Sequence, residues 1–216
     1  MIEIINYINE KLKLDNEHIK KENIKKDYFP KNSSELKEII IQLYKERGPN
    51  LNLNCIDTSE ITDMSDIFYD LKKYKNLEIE SIDVSSWDVS NVKNMEQMFR
   101  ECDYFDCDLS SWDVSNVKEM YAMFLGCKNF IGEGLENWDI SSCTNFKSMF
   151  MYCENLDIDL SQWKINKYAD IQYMFWGCKN LKTNFDNLKH EGPFTQMFYG
   201  CDKIKKPKWY KKIKRD

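Results

Sequence analysis

Apolar residues recur along most of this chain in one fixed arrangement. In "NMEQMFREC", Met95, Met98, Phe99 and Cys102 stand at i, i+3, i+4 and i+7, the spacing of one helical face. The set returns as Met120, Met123, Phe124 and Cys127, and again as Phe146, Met149, Phe150 and Cys153. Ile171, Met174, Phe175 and Cys178 follow, then Phe194, Met197, Phe198 and Cys201. An earlier copy reads Met64, Ile67, Phe68 and Leu71. Each set predicts a short helix. Between the sets, "CDLSSWDVSNV" alternates Leu109, Trp112, Val114 and Val117 with polar residues. Val and Trp punctuated by Ser, Asn and Asp predict one or two short strands with a tight corner.

The two patterns share a period. "SSWDVSNVK" occupies residues 85–93 and, letter for letter, 110–118; Trp87, Trp112, Trp138 and Trp163 are 25, 26 and 25 residues apart. A strand and one or two helical turns fill about 25 residues, which makes each unit one coil of a repeat. A lone two-turn helix and a five-residue strand cannot offset their ordering entropy. Stacked copies can, because each apolar column packs on its own repeats. The expected fold is therefore an α/β repeat solenoid with leucine-rich-repeat-like coils. About six coils over residues 53–202, the first and last imperfect, form a short, right-handed, slightly curved stack.

The ends differ from the body. Residues 1–52 are expected to form a helical N-terminal cap, because "INYINEKLKL" and "SSELKEIIIQLYKER" carry apolar residues at helical spacing. Ser33 or Ser34 is the expected N-cap and Gly48-Pro49 the stop. "DNEHIKKENIKKDYFPK" reads as a charged connection. Residues 203–216, "KIKKPKWYKKIKRD", form a basic C-terminal cap or tail.

The unit "DLSSWDVSNVKEMYAMFLGCKNF" resembles the repeat of the BspA-like leucine-rich-repeat proteins, also described as a Mycoplasma-lipoprotein-type repeat of unknown function. "YFPKNSSELKEIIIQLYKERGPNLNLNCIDTSEITDMSDIF" is similar to the leader common in that family, so the resemblance spans roughly residues 28–204. It implies a solenoid of leucine-rich-repeat type and, for many members, surface display and adhesion. It brings no catalytic motif.

Charge divides the 216-residue chain. Its net −5 comprises +1 over residues 1–52, −13 over 53–202 and +7 over 203–216. The opening "MIEIINYINEKLKL" carries Glu3 and lacks a leader-length apolar run, and no stretch approaches the ~18 apolar residues of a membrane span. A soluble, cytoplasmic chain is expected, with no membrane partner. Eight cysteines include five in the repeat column and no CxxC pair, so reduced, buried thiols are expected rather than zinc ligands or disulfides.

Candidate chemistry is sparse. Asp88, Asp113 and Asp139, with Asp83, Asp108 and Asp159 in a second column, could stack into a calcium ladder. Lys164 interrupts the first column, and Asp-x-Ser segments ordinarily bond their own corners. Asn91 and Asn116 read as corner residues and the methionines as core. The two histidines, His18 and His190, sit beside no nucleophile pattern, and phosphate-loop, HExxH and GxSxG motifs are missing from the sequence. The expected function is non-enzymatic: a protein–protein interaction module, monomeric and without cofactor or metal, whose acidic body meets a basic partner surface.

Its contact residues are expected at Glu80, Ser86, Ser111, Asn137 and Gln162, with Asp88, Asp113 and Asp139 beside them. Three alternatives compete. The body could act as an acidic decoy inhibiting an intracellular nucleic-acid-binding enzyme, in the manner of phage or mobile-element anti-defence proteins. The chain could be an adhesin-like surface protein exported without a conventional leader. The tail could contact nucleic acid through Lys205, Lys206, Lys208, Trp209, Lys211 and Lys212, although Trp209 and Tyr210 capping the last coil is the expected role.

Overall fold

A computed structural model describes residues 24–211. The "INYINEKLKL" segment, His18 and most of the charged connection lie outside the described residues. Helix α1, Ser33–Arg47, begins where Asn32 Oδ1 accepts the Glu35 N–H at 3.0 Å, while Glu35 Oε2 accepts the Lys31 N–H at 2.8 Å. Asn32, not Ser33 or Ser34, is thus the N-cap; Ser33 instead donates its hydroxyl to the Asp63 carbonyl. Gly48, at φ 80°, ends the helix and donates to Tyr44 O. Leu36, Ile40 and Leu43 are fully buried, and α1 packs on strand β1, Asn50–Asn52, and on helix α2, Ile67–Lys75. β1 pairs in parallel with β2, Ser81–Asp83. The expected N-terminal segment 1–52 therefore contributes a strand to the first stacked layer as well as a helix.

Beyond β2 the helices predicted over the Met-Phe-Cys sets are not present. α2 is the one α-helix of the repeat among the described residues, and the later copies are chains of turns. Met98, Arg100 and Cys102 donate three residues back, to Met95, Gln97 and Phe99. The alternate N–H groups, of Met95, Gln97, Phe99 and Glu101, leave the unit. They reach the carbonyls of Glu119, Tyr121, Met123 and Leu125 at 2.9, 2.8, 2.9 and 2.6 Å. The same four bonds join each later unit to its successor as far as Gly177 on Tyr199.

What enforces this is a residue of positive φ at every fourth position. Gln97, Ala122, Ser148, Tyr173 and Gln196 hold φ of 51–58°; Glu101, Gly126, Tyr152, Gly177 and Gly200 hold 58–77°. An α-helix admits no such residue. The turn chain repeats every four residues, so positions 0, 3, 4 and 7 still point one way. Met95, Met98, Phe99 and Cys102 are accordingly all buried, as the pattern predicts, on a different backbone.

The strands also fall elsewhere than predicted. Parallel bridges run Asp63↔Asn94↔Glu119↔Asn145↔Asp170, immediately before each inward set. The Trp-containing segments are tight corners, with one 3-10 turn at Leu135–Asn137.

Stacking places like on like. Phe68, Phe99, Phe124, Phe150, Phe175 and Phe198 form a ladder with ring centroids 5.1–6.0 Å apart and planes within 10°. Phe105 and Phe130 press against it at 4.0 and 4.5 Å. Two polar columns are satisfied inside this core. Each indole N–H donates to a backbone carbonyl of the preceding unit: Trp87 to Leu53, Trp112 to Val84, Trp138 to Leu109 and Trp163 to Leu135, at 2.7–3.2 Å. Each thiol of Cys127, Cys153, Cys178 and Cys201 donates to the carbonyl of Phe99, Phe124, Phe150 and Phe175 at 2.8–3.0 Å. Those carbonyls also accept the cysteine N–H of their own unit, so both lone pairs are used. All eight cysteines are free thiols, and Cys55 alone is not buried.

Two measurements check this core. Gln196 is exposed at φ 51°, so Gln196→Gly should raise stability by roughly 0.5–1 kcal/mol, whereas in a helix it would cost about 1 kcal/mol. Urea titration reads the sign. Burial pushes the Cys102 and Cys143 thiols up to about 12 and Cys201 to about 11. Native protein at mildly alkaline pH should therefore alkylate at Cys55 first, and at the other seven only once unfolded.

Candidate interaction surface

From the second layer on, the residue after the ladder Phe leaves the core on the outer side of the turn chain. These residues are Arg100, Leu125, Met151, Trp176 and Tyr199, one per layer; Tyr69 holds the same register on α2 but is buried. From Leu125 onward the column is apolar or aromatic, and its neighbours add Tyr121, Tyr152 and Tyr173. Trp176 lies 5.6 Å from Tyr173 and 4.5 Å from Tyr199, centroid to centroid. Tyr199 and Tyr152 are 58% and 43% exposed, enough area to contact another molecule. Tyr152 lies across Gly177, where a Cβ would come within 2.8 Å of its ring. Glycine at that position lets the large left-handed residue of one layer cover the next.

The ridge is polarised. At its N-terminal end Arg100 stacks on Tyr69 at 4.8 Å and pairs with Glu101 at 3.4 Å. Asp66 stands there too, its carboxyl pushed above the usual carboxylate range by burial and by Asp70 and Glu96. Four residues before the column, the apolar half carries one charged side chain, Lys147, between Tyr121 and Gln172. Along one flank the charges neutralise each other: Lys72 meets Asp103 at 3.0 Å and Lys179 meets Glu154 at 2.7 Å.

The residues expected to bind lie on the corners. Ser86, Ser111, Asn137 and Gln162 each precede a column Trp, but Glu80 stands apart beside β2, accepting from Asn50 Nδ2 at 3.1 Å. Ser86 is half-buried, its N–H on Asn54 Oδ1 and its carbonyl on Lys26 Nζ. Ser111 donates to the Ser85 carbonyl. Asn137 and Gln162 are exposed. Asp88, Asp113 and Asp139 are exposed, and each accepts the N–H of the serine two residues on, Ser90, Ser115 and Ser141, at 3.0 Å. Asp83, Asp108 and Asp159 accept from Ser85, Ser110 and Ser161 in the same way. Asn91 and Asn116 bond the Ser59 and Ser90 carbonyls at 2.8 Å. Among the described residues, no three His, Cys, Asp or Glu side chains gather as metal ligands, and no helix is long and apolar enough to cross a membrane.

At the tail, Lys205, Lys206 and Lys208 are exposed. Trp209 donates its indole N–H to Phe185 O at 2.8 Å and meets Phe194 edge-on at 5.4 Å, and Tyr210 meets Phe198 at 5.1 Å. Lys211 ends a 3-10 turn, Lys208–Lys211, and Lys212 lies outside the described residues. His190 is half-buried against Phe194 and Trp209, and burial lowers its pKa.

The ridge is what sequence reasoning missed. Its signal was present: apolar residues at 125, 151, 176 and 199 fall outside the inward pattern, at one register.

These units, bonded in parallel from one to the next, define a repeat protein. Residues 38–135 and 112–209 each match the family described as "Mycoplasma protein of unknown function, DUF285", and the chain belongs to that family. No curated protein and no solved structure matches it.

The corner carboxylates carry a pH dependence. Hydrogen bonds from Ser141 hold Asp139 below the usual carboxylate range, and Ser59 does the same for Asp57. A folded pKa below the unfolded one gives stability that is present above about pH 4 and lost as pH falls through the folded value. Asp139→Asn keeps the acceptor and removes the charge, so its acid unfolding curve should be shallower than that of the parent when followed by tryptophan fluorescence.

Proposed function

We propose that this chain is a non-enzymatic protein–protein interaction module, a solenoid of leucine-rich-repeat type whose contact surface is the Leu125–Tyr199 ridge. One observation carries the reading: a contiguous row of outward Leu, Met, Trp and Tyr side chains that the core does not need. Tyr, Trp and Met are enriched at protein interfaces, and Trp and Tyr dominate their energetics. The corner residues are weaker candidates, because Asp88, Asp113 and Asp139 already serve their own turns. Immobilised protein should capture a specific protein from host lysate, a second copy of this chain included. Trp176→Ser with Tyr199→Ser should cut that capture at least about tenfold, the loss of one hot spot, while Asp88→Asn with Asp113→Asn leaves it unchanged. Equal capture by the ridge variant would overturn the assignment.

The acidic-decoy reading draws support from a different feature, the exposed Asp88, Asp113 and Asp139 column on a body of net −13. It requires capture of a nucleic-acid-binding enzyme that collapses with added salt and is lost in the aspartate variant rather than the ridge variant.

A further inference from the structure

We propose that the ridge's partner is a second copy of this chain, lying antiparallel across it on a two-fold axis; this rests on the ridge being a protein-contact surface. An isologous interface must be complementary to itself. An axis crossing the columns midway between the Phe124 and Phe150 layers reverses the order of layers and keeps each column opposite itself. Arg100 then faces Trp176 of the second copy, Leu125 faces Met151, Lys147 faces Tyr121 and Glu96 faces Gln172. Each cation meets an aromatic ring, the apolar pair meets apolar, and the carboxylate meets a carboxamide donor. Every pairing occurs twice.

The register is discriminating. Moving the axis onto the Phe150 layer sets Lys147 against Lys147, a like-charge contact, and moving it onto the Phe124 layer takes Arg100 off the indole. Layers repeat every 5.1–6.0 Å along the ladder. The spacing is the same in both copies, so the match persists along the ridge. Arg100 is available for it. One face of its guanidinium rests on Tyr69, and 30% of its side chain remains exposed. The polarity of the ridge, charged at one end and aromatic at the other, is what an antiparallel pair requires and what a parallel one would waste.

Sedimentation of the full chain over a micromolar dilution series should show a monomer–dimer equilibrium. Arg100→Glu should weaken it at least about tenfold, since the symmetric interface loses the contact twice. As a folding-independent check, Glu96→Cys and Gln172→Cys proteins, both carrying Cys55→Ser, should cross-link through a short bismaleimide mainly when mixed, because within either variant the two cysteines lie three layers apart. A monomer at every concentration overturns the proposal. So does a dimer indifferent to Arg100→Glu, or cross-linking as strong within either cysteine variant as between the two. A monomer whose Trp176→Ser, Tyr199→Ser form still loses its lysate partner overturns the two-fold pair alone and leaves the ridge as the contact surface.

Discussion

A left-handed residue at every fourth position of the inward segment is the constraint on which the structure depends. It breaks the i→i−4 ladder a helix would make and turns alternate N–H groups out of the unit, along the stack. Each layer thereby spends half of its backbone donors on its own turns and half on its neighbour. A helical repeat would satisfy those groups internally and leave layers joined by side chains alone. Here the backbone itself sets the layer spacing, and that spacing brings each phenylalanine within stacking distance of the next.

The cysteine and tryptophan columns follow from the same geometry. A carbonyl that already accepts a turn N–H has one lone pair left, aimed along the stack. The thiol of the next unit fills it at the Phe position, and the indole of the next unit fills it at the Leu position. Cysteine suits the first because it is small, apolar enough to bury and still a donor. The tail extends the second: Phe185 stands where Leu160 and Leu135 stand in earlier units, and its carbonyl receives the indole of Trp209. Trp209 therefore completes a column as well as covering the final layer.

Much of this was legible in the sequence and some could not be. The period near 25, the inward columns and the buried state of the Met, Phe, Trp and Cys positions are readable because burial depends on side-chain type and spacing. The conformation of "NMEQMFREC" is not, because a period of four and a period of 3.6 diverge by less than one residue over eight positions. What separates them is Gly126, Gly177 and Gly200, which a helix would not favour in one column. Glu101 and Tyr152 occupy the same left-handed position and hide it. The true N-cap, Asn32, lies one residue before the serines that propensity favours about equally. The corner aspartates were readable as turn formers; their repetition reflects repeated corners.

A repeat interior dictates which residues recur, so residues that recur say little about partners. Information about recognition sits where the register is kept and the residue type changes. The column after the ladder phenylalanine meets that description, running Arg, Leu, Met, Trp, Tyr through five layers while the positions on either side of it in the chain hold Phe inward and a left-handed turn outward. Backbone geometry holds each of those side chains in place without specifying its chemistry. A column built this way can change residue type by point substitution without disturbing the turns that hold it, so its order from charged Arg100 to aromatic Trp176 and Tyr199 is not dictated by the stacking of the layers.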